Sequence, residues 1–83
     1  MSPKFRQEDG YIFKIYSNEE ERMHIHVVKA ECEAKFWLEL QIELANNYGF
    51  TNKDLKKITK MVEQYGNEFK RLFAAHIGKR IDD

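Results

Sequence analysis

Residues 24–38 read HIHVVKAECEAKFWL, and this stretch decides the fold. Met23 to Lys29 is rich in β-branched residues, and Ala34 to Leu38 is a second apolar run that contains the only tryptophan of the chain. The segment between them, Ala30 to Glu33, is short and mostly polar. Two such runs separated by a few residues are typical of a β-hairpin. We therefore predict two antiparallel strands joined by a short loop.

Side-chain alternation predicts what each face of this hairpin carries, because successive residues of a strand point to opposite sides. The apolar residues of the first strand face a core. His24 and His26 then lie together on the other face, with their Cα atoms about 6.5–7 Å apart. On the returning strand, Lys35 and Trp37 share one face.

The residues before the hairpin predict two more strands. Lys4 to Gln7 alternates weakly and is typical of an edge strand, whereas Tyr11 to Tyr16 is β-branched and aromatic. Asp9-Gly10 between them is a preferred sequence for a hairpin turn. The charged segment from Ser17 to Glu21 is predicted to be a solvated connection.

Residues 39–49 permit two interpretations. Leu40, Ile42 and Leu44 alternate with polar residues, which predicts a further strand. A helix over 39–47 is the alternative, because short apolar runs discriminate poorly between the two. Asn46 to Gly49 is predicted to be a turn.

From residue 51 onward the apolar spacing is helical. Thr51 is predicted to cap the helix, with Asp54 at the third helical position. The apolar stripe then advances in alternating steps of three and four residues: Leu55, Ile58, Val62, Tyr65, Phe69, Leu72 and His76. Gly66 interrupts the stripe without changing its phase, so we predict one long or kinked helix over 51–79.

These elements predict an α+β fold, in which four to five antiparallel strands over 1–45 are covered by the C-terminal helix. A chain of 83 residues is the size of one domain, so we expect 1–83 to fold as a unit. Cys32 is the only cysteine, which excludes an internal disulfide. No apolar run approaches the ~20 residues of a membrane span. Since nothing after Met1 resembles a signal peptide, we expect a cytoplasmic protein.

His24 and His26 permit three kinds of site. They can pack as half-exposed side chains of the sheet, or act as an acid–base pair, since imidazole titrates near neutral pH. In the second case Lys35 on the partner strand is the expected phosphate-charge stabiliser. They can also chelate a metal ion if Glu33 supplies a third ligand. The sequence predicts no cofactor.

Basic residues of the helix form a second candidate surface. They include two like-charged pairs at i, i+4, which are Lys53/Lys57 and Lys56/Lys60. Such a ridge is either a solvated helix face or a contact for phosphates or for an acidic partner. Trp37, beside a lysine on its strand, is the candidate stacking position for a base, although core packing explains the same residue.

Several segments together resemble a known family. They are YSNE at 16–19, HIHV at 24–27, EAKFWL at 33–38, a Leu-Ala and Gly-Phe segment at 44–50, and the helix that begins at Thr51. This pattern resembles the bacterial family catalogued as domain of unknown function 4160. Two positions depart from it: Arg22-Met23 replace two prolines that the family usually carries, and Phe73 stands where it tends to have a tryptophan.

The resemblance implies a small prokaryotic protein, often encoded beside a second small protein, and hence a two-gene module of toxin–antitoxin type. It implies no established reaction. We therefore predict a component that binds its partner protein and acts on or near RNA, using the histidine pair as its site and Lys53 to Lys60 as a backbone contact. The alternatives are a non-enzymatic antitoxin or adaptor half and a small metal-binding protein, with self-association as a further option.

Overall fold

The computed structural model describes residues 4–16, 22–39 and 41–82, with the helix side chains described up to His76. Its elements are β1 (Lys4–Glu8), β2 (Tyr11–Lys14), β3 (His24–Lys29), β4 (Cys32–Trp37), β5 (Glu43–Tyr48) and α1 (Asn52–Asp82). The five strands form one antiparallel sheet in the order β1-β2-β3-β4-β5. The predicted α+β fold is confirmed.

Left-handed turn residues explain why two of the connections are so short. Asp9 and Gly10 have φ angles of 54° and 84°, the combination that a two-residue hairpin turn requires. Ala30, at the β3–β4 turn, has a φ of 54°. This second hairpin is tighter than predicted, because β4 begins at Cys32 and leaves only Ala30 and Glu31 between the strands.

The β5 strand lies further along the chain than predicted. It covers 43–48, so the turn predicted to begin at Asn46 is wrong, and so is the helical alternative over 39–47. A β-bulge accompanies the shift, since Lys35 pairs with Asn46 whereas its neighbour Phe36 pairs with Leu44. The extra residue breaks the simple alternation from which the strand was predicted.

The chain turns only after β5 has ended. The Asn47 side chain accepts a hydrogen bond from the Phe50 backbone N–H at 3.1 Å and donates one to the Phe50 carbonyl at 3.0 Å. Gly49 between them has a φ of 99°, and a Cβ there would lie 2.9 Å from Cys32 Sγ. The turn therefore needs a glycine at this position. Leu40, which belongs to the predicted pattern, lies outside the described residues.

The helix begins as predicted. The Thr51 hydroxyl accepts a hydrogen bond from the Asp54 backbone N–H at 3.2 Å and donates one to Asp54 Oδ2 at 3.1 Å. The helix then continues beyond the predicted end at 79. Gly66 is buried, and a Cβ there would lie 3.1 Å from Ile42 Cδ1. Although α1 is long, no helix among the described residues is apolar enough to cross a membrane.

The core lies between α1 and one face of the sheet. The buried strand residues on this face are Tyr11, Phe13, Ile25, Val27, Ala34 and Phe36, together with Ile15 and Leu38 just after β2 and β4. The helix contributes Ile58, Met61, Val62, Phe69 and Phe73. Phe13 and Phe69 stack across the interface with ring centroids 5.3 Å apart. Because the helix packs on this face, the side chains that alternate with the core residues lie on the opposite face of the sheet.

Candidate functional site

The strand register aligns one row of polar side chains across the face of the sheet opposite the core. Its members lie directly opposite one another on neighbouring strands, in the order Lys4, Lys14, His26, Lys35 and Asn46. We call this set the cationic row. Neighbouring strands are about 4.8 Å apart, and like charges directly opposite each other destabilise a sheet. The row is therefore unfavourable for the fold unless other groups balance its charge.

Aromatic rings lie beside the row and form cation–π contacts with two of its lysines. Lys14 Nζ lies 4.8 Å from the centroid of the Tyr16 ring, and Lys35 Nζ lies 4.5 Å from the centroid of the Trp37 ring. The guanidinium carbon of Arg22 lies 4.0 Å from the same Trp37 centroid. Each such contact is worth about 0.5–1 kcal/mol at an exposed site. The two lysines thus lean along their strands, each toward an aromatic ring.

His26 stands in the middle of the row and contacts an acidic side chain. Its Nδ1 lies 3.0 Å from Glu33 Oε2, within ion-pair distance. The Tyr16 hydroxyl donates to the same carboxylate, at 3.2 Å to Oε1 and 3.1 Å to Oε2, and the Tyr16 ring lies edge-on to His26 with centroids 4.6 Å apart. Nδ1 is therefore the nitrogen of His26 that faces the carboxylate.

His24 is more enclosed than His26. It has 0% of its surface exposed, whereas His26 keeps 6%. Its Nδ1 lies 2.6 Å from the Arg22 carbonyl oxygen, which can only accept, so Nδ1 is the donor. The His24 ring also lies edge-on to Phe73 at 5.1 Å and to Trp37 at 6.1 Å. His24 is therefore enclosed, and of the two histidines only His26 keeps any exposed surface.

The structure brings some of the predicted site residues together and separates others. His24, His26, Lys35 and Trp37 share one face of the hairpin, because His24 pairs with Trp37 and His26 pairs with Lys35. The lysine ridge of the helix does not join them. Lys53, Lys56, Lys57 and Lys60 are all exposed, on the side of α1 that faces away from its buried residues. Since that buried side packs on the sheet, the ridge and the histidines lie on opposite sides of the protein.

A groove lies beside the lysine ridge at the beginning of α1. It is mostly apolar and is lined by Asn52, Lys53, Leu55, Lys56 and Thr59. Leu55 packs against the core and forms its apolar part. The groove is thus adjacent to the predicted lysine surface and remote from the histidines.

Three residues of the site were not singled out from the sequence as functional. Lys14, Tyr16 and Arg22 surround the histidines only because β2, β3 and the segment before β3 lie side by side. Glu33, the third ligand of the alternative metal site, contacts His26. Among the described residues, no three His, Cys, Asp or Glu side chains are grouped so that they could hold a metal ion.

A hydrogen-bonded cluster joins the helix start to β2. The Tyr11 hydroxyl donates to Asp54 Oδ1 at 3.1 Å. The hydrogen bond from Thr51, followed by that from Tyr11, holds the pKa of Asp54 below its ordinary value, and the positive charge of Lys29 acts in the same direction. Burial, followed by the hydrogen bond to Asp54, raises the pKa of Tyr11. This cluster fixes the helix over the sheet, so we assign it to the fold and not to a site.

Comparison with known proteins identifies a family. Residues 10–73 of the 83 match a domain of unknown function (DUF4160). This match extends from the start of β2 to Phe73 and includes both histidines, Lys35 and Trp37. No curated protein and no solved structure matches the chain. Since the matched region is more than half of the chain, the protein belongs to the DUF4160 family.

Proposed function

We propose that this member of the DUF4160 family binds single-stranded RNA across the cationic row, as one component of a two-protein module of toxin–antitoxin type. The row itself is the observation that carries the proposal. The strand register places a lysine, a histidine or an asparagine directly opposite each of its three lysines. A nucleic-acid backbone supplies the negative charge that balances such a row.

The aromatic residues beside the row favour a single strand over a duplex. Tyr16 and Trp37 are both partly exposed, and each lies under a basic side chain. Stacking of one base on an aromatic ring is worth about 1–3 kcal/mol. This exceeds the ~0.5–1 kcal/mol of an exposed cation–π contact, so a base can displace the cation from the ring. The displaced lysine is then available to the adjacent phosphate, and only unpaired bases present their faces in this way.

The proposal is tested by binding of a labelled single-stranded RNA of about 12 nucleotides, followed by fluorescence anisotropy. The variant Lys14→Gln/Lys35→Gln removes two charges from the row, and Lys56→Gln/Lys60→Gln removes two from the opposite side of the protein as a matched control. We expect the row variant to bind about tenfold more weakly or worse, and the control to bind within about twofold of the wild type.

Salt dependence provides a second readout from the same titration. Each phosphate contact with a single strand contributes about 0.7 to the slope of log affinity against log salt. Loss of both row lysines should therefore reduce the slope by about 1.4, and loss of the two helix lysines should leave it unchanged. Equal weakening by both variants would mean that net charge alone attracts the RNA, and the proposal would then be wrong. Absence of binding by the wild type would also overturn it.

A second candidate function is metal-independent cleavage of the bound RNA, and the contact between Glu33 and His26 favours it. His26 Nε2 takes the proton of a 2′-hydroxyl, whose oxygen attacks the neighbouring phosphorus. The bond to the 5′-oxygen breaks, which leaves a 2′,3′-cyclic phosphate and a 5′-hydroxyl. His24 is fully buried and unsuited to protonate the leaving oxygen, so this step falls to Lys35, which lies directly opposite His26.

Cleavage is distinguished from binding by its products. The wild type should convert the RNA to fragments that end in a 2′,3′-cyclic phosphate, with the reaction unaffected by a metal chelator. Glu33→Gln and His26→Gln should each slow this reaction by about 100-fold or more while RNA affinity changes little. If the RNA stays intact with the wild type, cleavage is excluded and the binding function is unaffected.

A further inference from the structure

The lysine ridge of α1 carries charge that the described part of the protein does not neutralise. Lys57 alone of the four has an acidic contact, with Nζ 3.5 Å from Asp9 Oδ2. Lys53, Lys56 and Lys60 form no ion pair with a described residue. The i, i+4 pairs on the ridge repel each other, which disfavours the helix. The ridge is thus complementary to a negatively charged partner.

The groove beside the ridge adds an apolar component to this surface. Its lining combines the partly buried Leu55 with Asn52, Thr59 and the two lysines Lys53 and Lys56. An apolar centre with a charged or polar rim is the usual anatomy of a protein–protein contact. None of the lining residues is aromatic, so the groove offers no surface on which a base could stack. A protein segment therefore fits it better than a nucleic acid does.

We infer that this surface binds an acidic segment of the partner protein, with an apolar side chain in the groove against Leu55 and carboxylates against Lys53, Lys56 and Lys60. The inference rests on the proposed two-protein module but not on RNA binding. Because the ridge and the cationic row lie on opposite sides of the sheet, the partner segment and the RNA occupy separate surfaces. The protein can then hold both at once.

The test uses two synthetic peptides as probes in place of the partner. One alternates glutamate with leucine, and the other has the same length and charge with serine in place of leucine. Binding of each labelled peptide is followed by fluorescence anisotropy. We expect the wild type to bind the glutamate–leucine peptide about tenfold more tightly than the glutamate–serine peptide, since only the first has a side chain for the groove.

Two double variants of equal charge locate the binding surface. Lys53→Gln/Lys56→Gln changes two lining residues of the groove, at exposed helix positions where glutamine is a good helix former. Lys14→Gln/Lys35→Gln changes the cationic row. We expect the first variant to bind the glutamate–leucine peptide about tenfold more weakly and to keep its RNA affinity within about twofold. The second should show the reverse pattern.

Each contrary outcome has a distinct meaning. Equal affinity for the two peptides, or equal effects of the two variants, would overturn the groove as a binding site. Loss of RNA binding in Lys53→Gln/Lys56→Gln would assign the ridge to nucleic acid and overturn the inference. Self-association of the wild type that the same variant abolishes would make a second copy of the chain the occupant, and would also overturn it. Failure of RNA binding alone would overturn the proposed function and leave this inference standing.

Discussion

Gly66 and Ile42 lie so close together that a Cβ on Gly66 would stand 3.1 Å from Ile42 Cδ1. Glycine inside a helix costs about 1 kcal/mol relative to alanine. Here the absent side chain lets α1 approach the residue that leads into β5. The atom that a Cβ on Gly66 would approach is the end of the flexible Ile42 side chain. The steric restriction at position 66 is therefore local, and a shorter side chain at position 42 should remove it.

This contact predicts a non-additive pair of substitutions. In an Ile42→Val background, which removes Cδ1, Gly66→Ala should raise the free energy of unfolding by about 1 kcal/mol through helix propensity. In the wild-type background the gain should be smaller, because Cδ1 must move to admit the new methyl group. Urea unfolding of the four proteins of this cycle measures the difference. Identical gains in both backgrounds would show that Ile42 does not restrict this position.

The cap of α1 predicts how stability depends on acidity. The pKa of Asp54 is lowered in the folded state, chiefly by the hydrogen bond from Thr51. A carboxylate whose pKa is lower in the folded state stabilises the protein at pH values above its unfolded pKa, here 3.8. This stabilisation is lost as the pH falls through the folded pKa. We therefore expect Asp54→Asn to weaken the protein near neutral pH and to have less effect at about pH 3.

Thr51 provides the matched pair of variants for the same cap. Thr51→Ala should lower the free energy of unfolding by about 1 kcal/mol, because the Asp54 N–H loses its acceptor and the Asp54 carboxylate loses its donor. Thr51→Ser keeps the hydroxyl and should retain most of the stability. Urea unfolding of both variants near neutral pH checks this. A serine variant as unstable as the alanine variant would contradict the assigned cap.

Local sequence was sufficient where the determinant of structure is local. The turn at Asp9-Gly10 and the cap at Thr51 each depend on residues adjacent in the chain, and both were predicted. The position of β5 was not, because it depends on pairing with β4 and on a bulge that brings Asn46 opposite Lys35. A polar Asn-Asn pair is typical of a turn, and only the neighbouring strand draws it into the sheet.

In the candidate site, too, local sequence predicts some features, and contacts between distant parts of the chain determine the others. Alternation predicts that His24 and His26 share a face, whereas their unequal burial depends on Phe73, which lies 49 positions after His24 in the chain. The cationic row depends on the register of four strand pairs, which no short segment specifies. The separation of the lysine ridge from the histidines follows from which side of α1 meets the sheet. The ridge was predicted correctly as an exposed helix face, but not as a surface remote from the histidines.

The difference between the two histidines predicts different effects on stability. His24 is enclosed by the rings of His26, Trp37 and Phe73, so His24→Ala should lower the free energy of unfolding by about 2–4 kcal/mol. His26→Gln retains a polar side chain near Glu33 and should cost about 1 kcal/mol or less. Chemical denaturation of both variants measures this. If His26→Gln is as unstable as His24→Ala, then His26 serves the fold, and its assignment to a site is wrong.

Growth of a bacterial host tests the proposed toxin role of the face that carries His26. If the proposed two-protein module exists and this protein is its toxin, induction of the protein alone should arrest growth, because RNA is then bound or cut without a partner to prevent it. His26→Gln is the variant to compare, since it is expected to fold, whereas a double substitution that includes His24 would confuse loss of activity with loss of structure.

Arrest by the wild type and by Lys56→Gln/Lys60→Gln, but not by His26→Gln at equal soluble level, would place the toxic activity at the cationic row. Arrest by all three would exclude His26 from it. Growth of all three would exclude the toxin role in that host, and the two peptides would then decide whether the chain acts as the binding half.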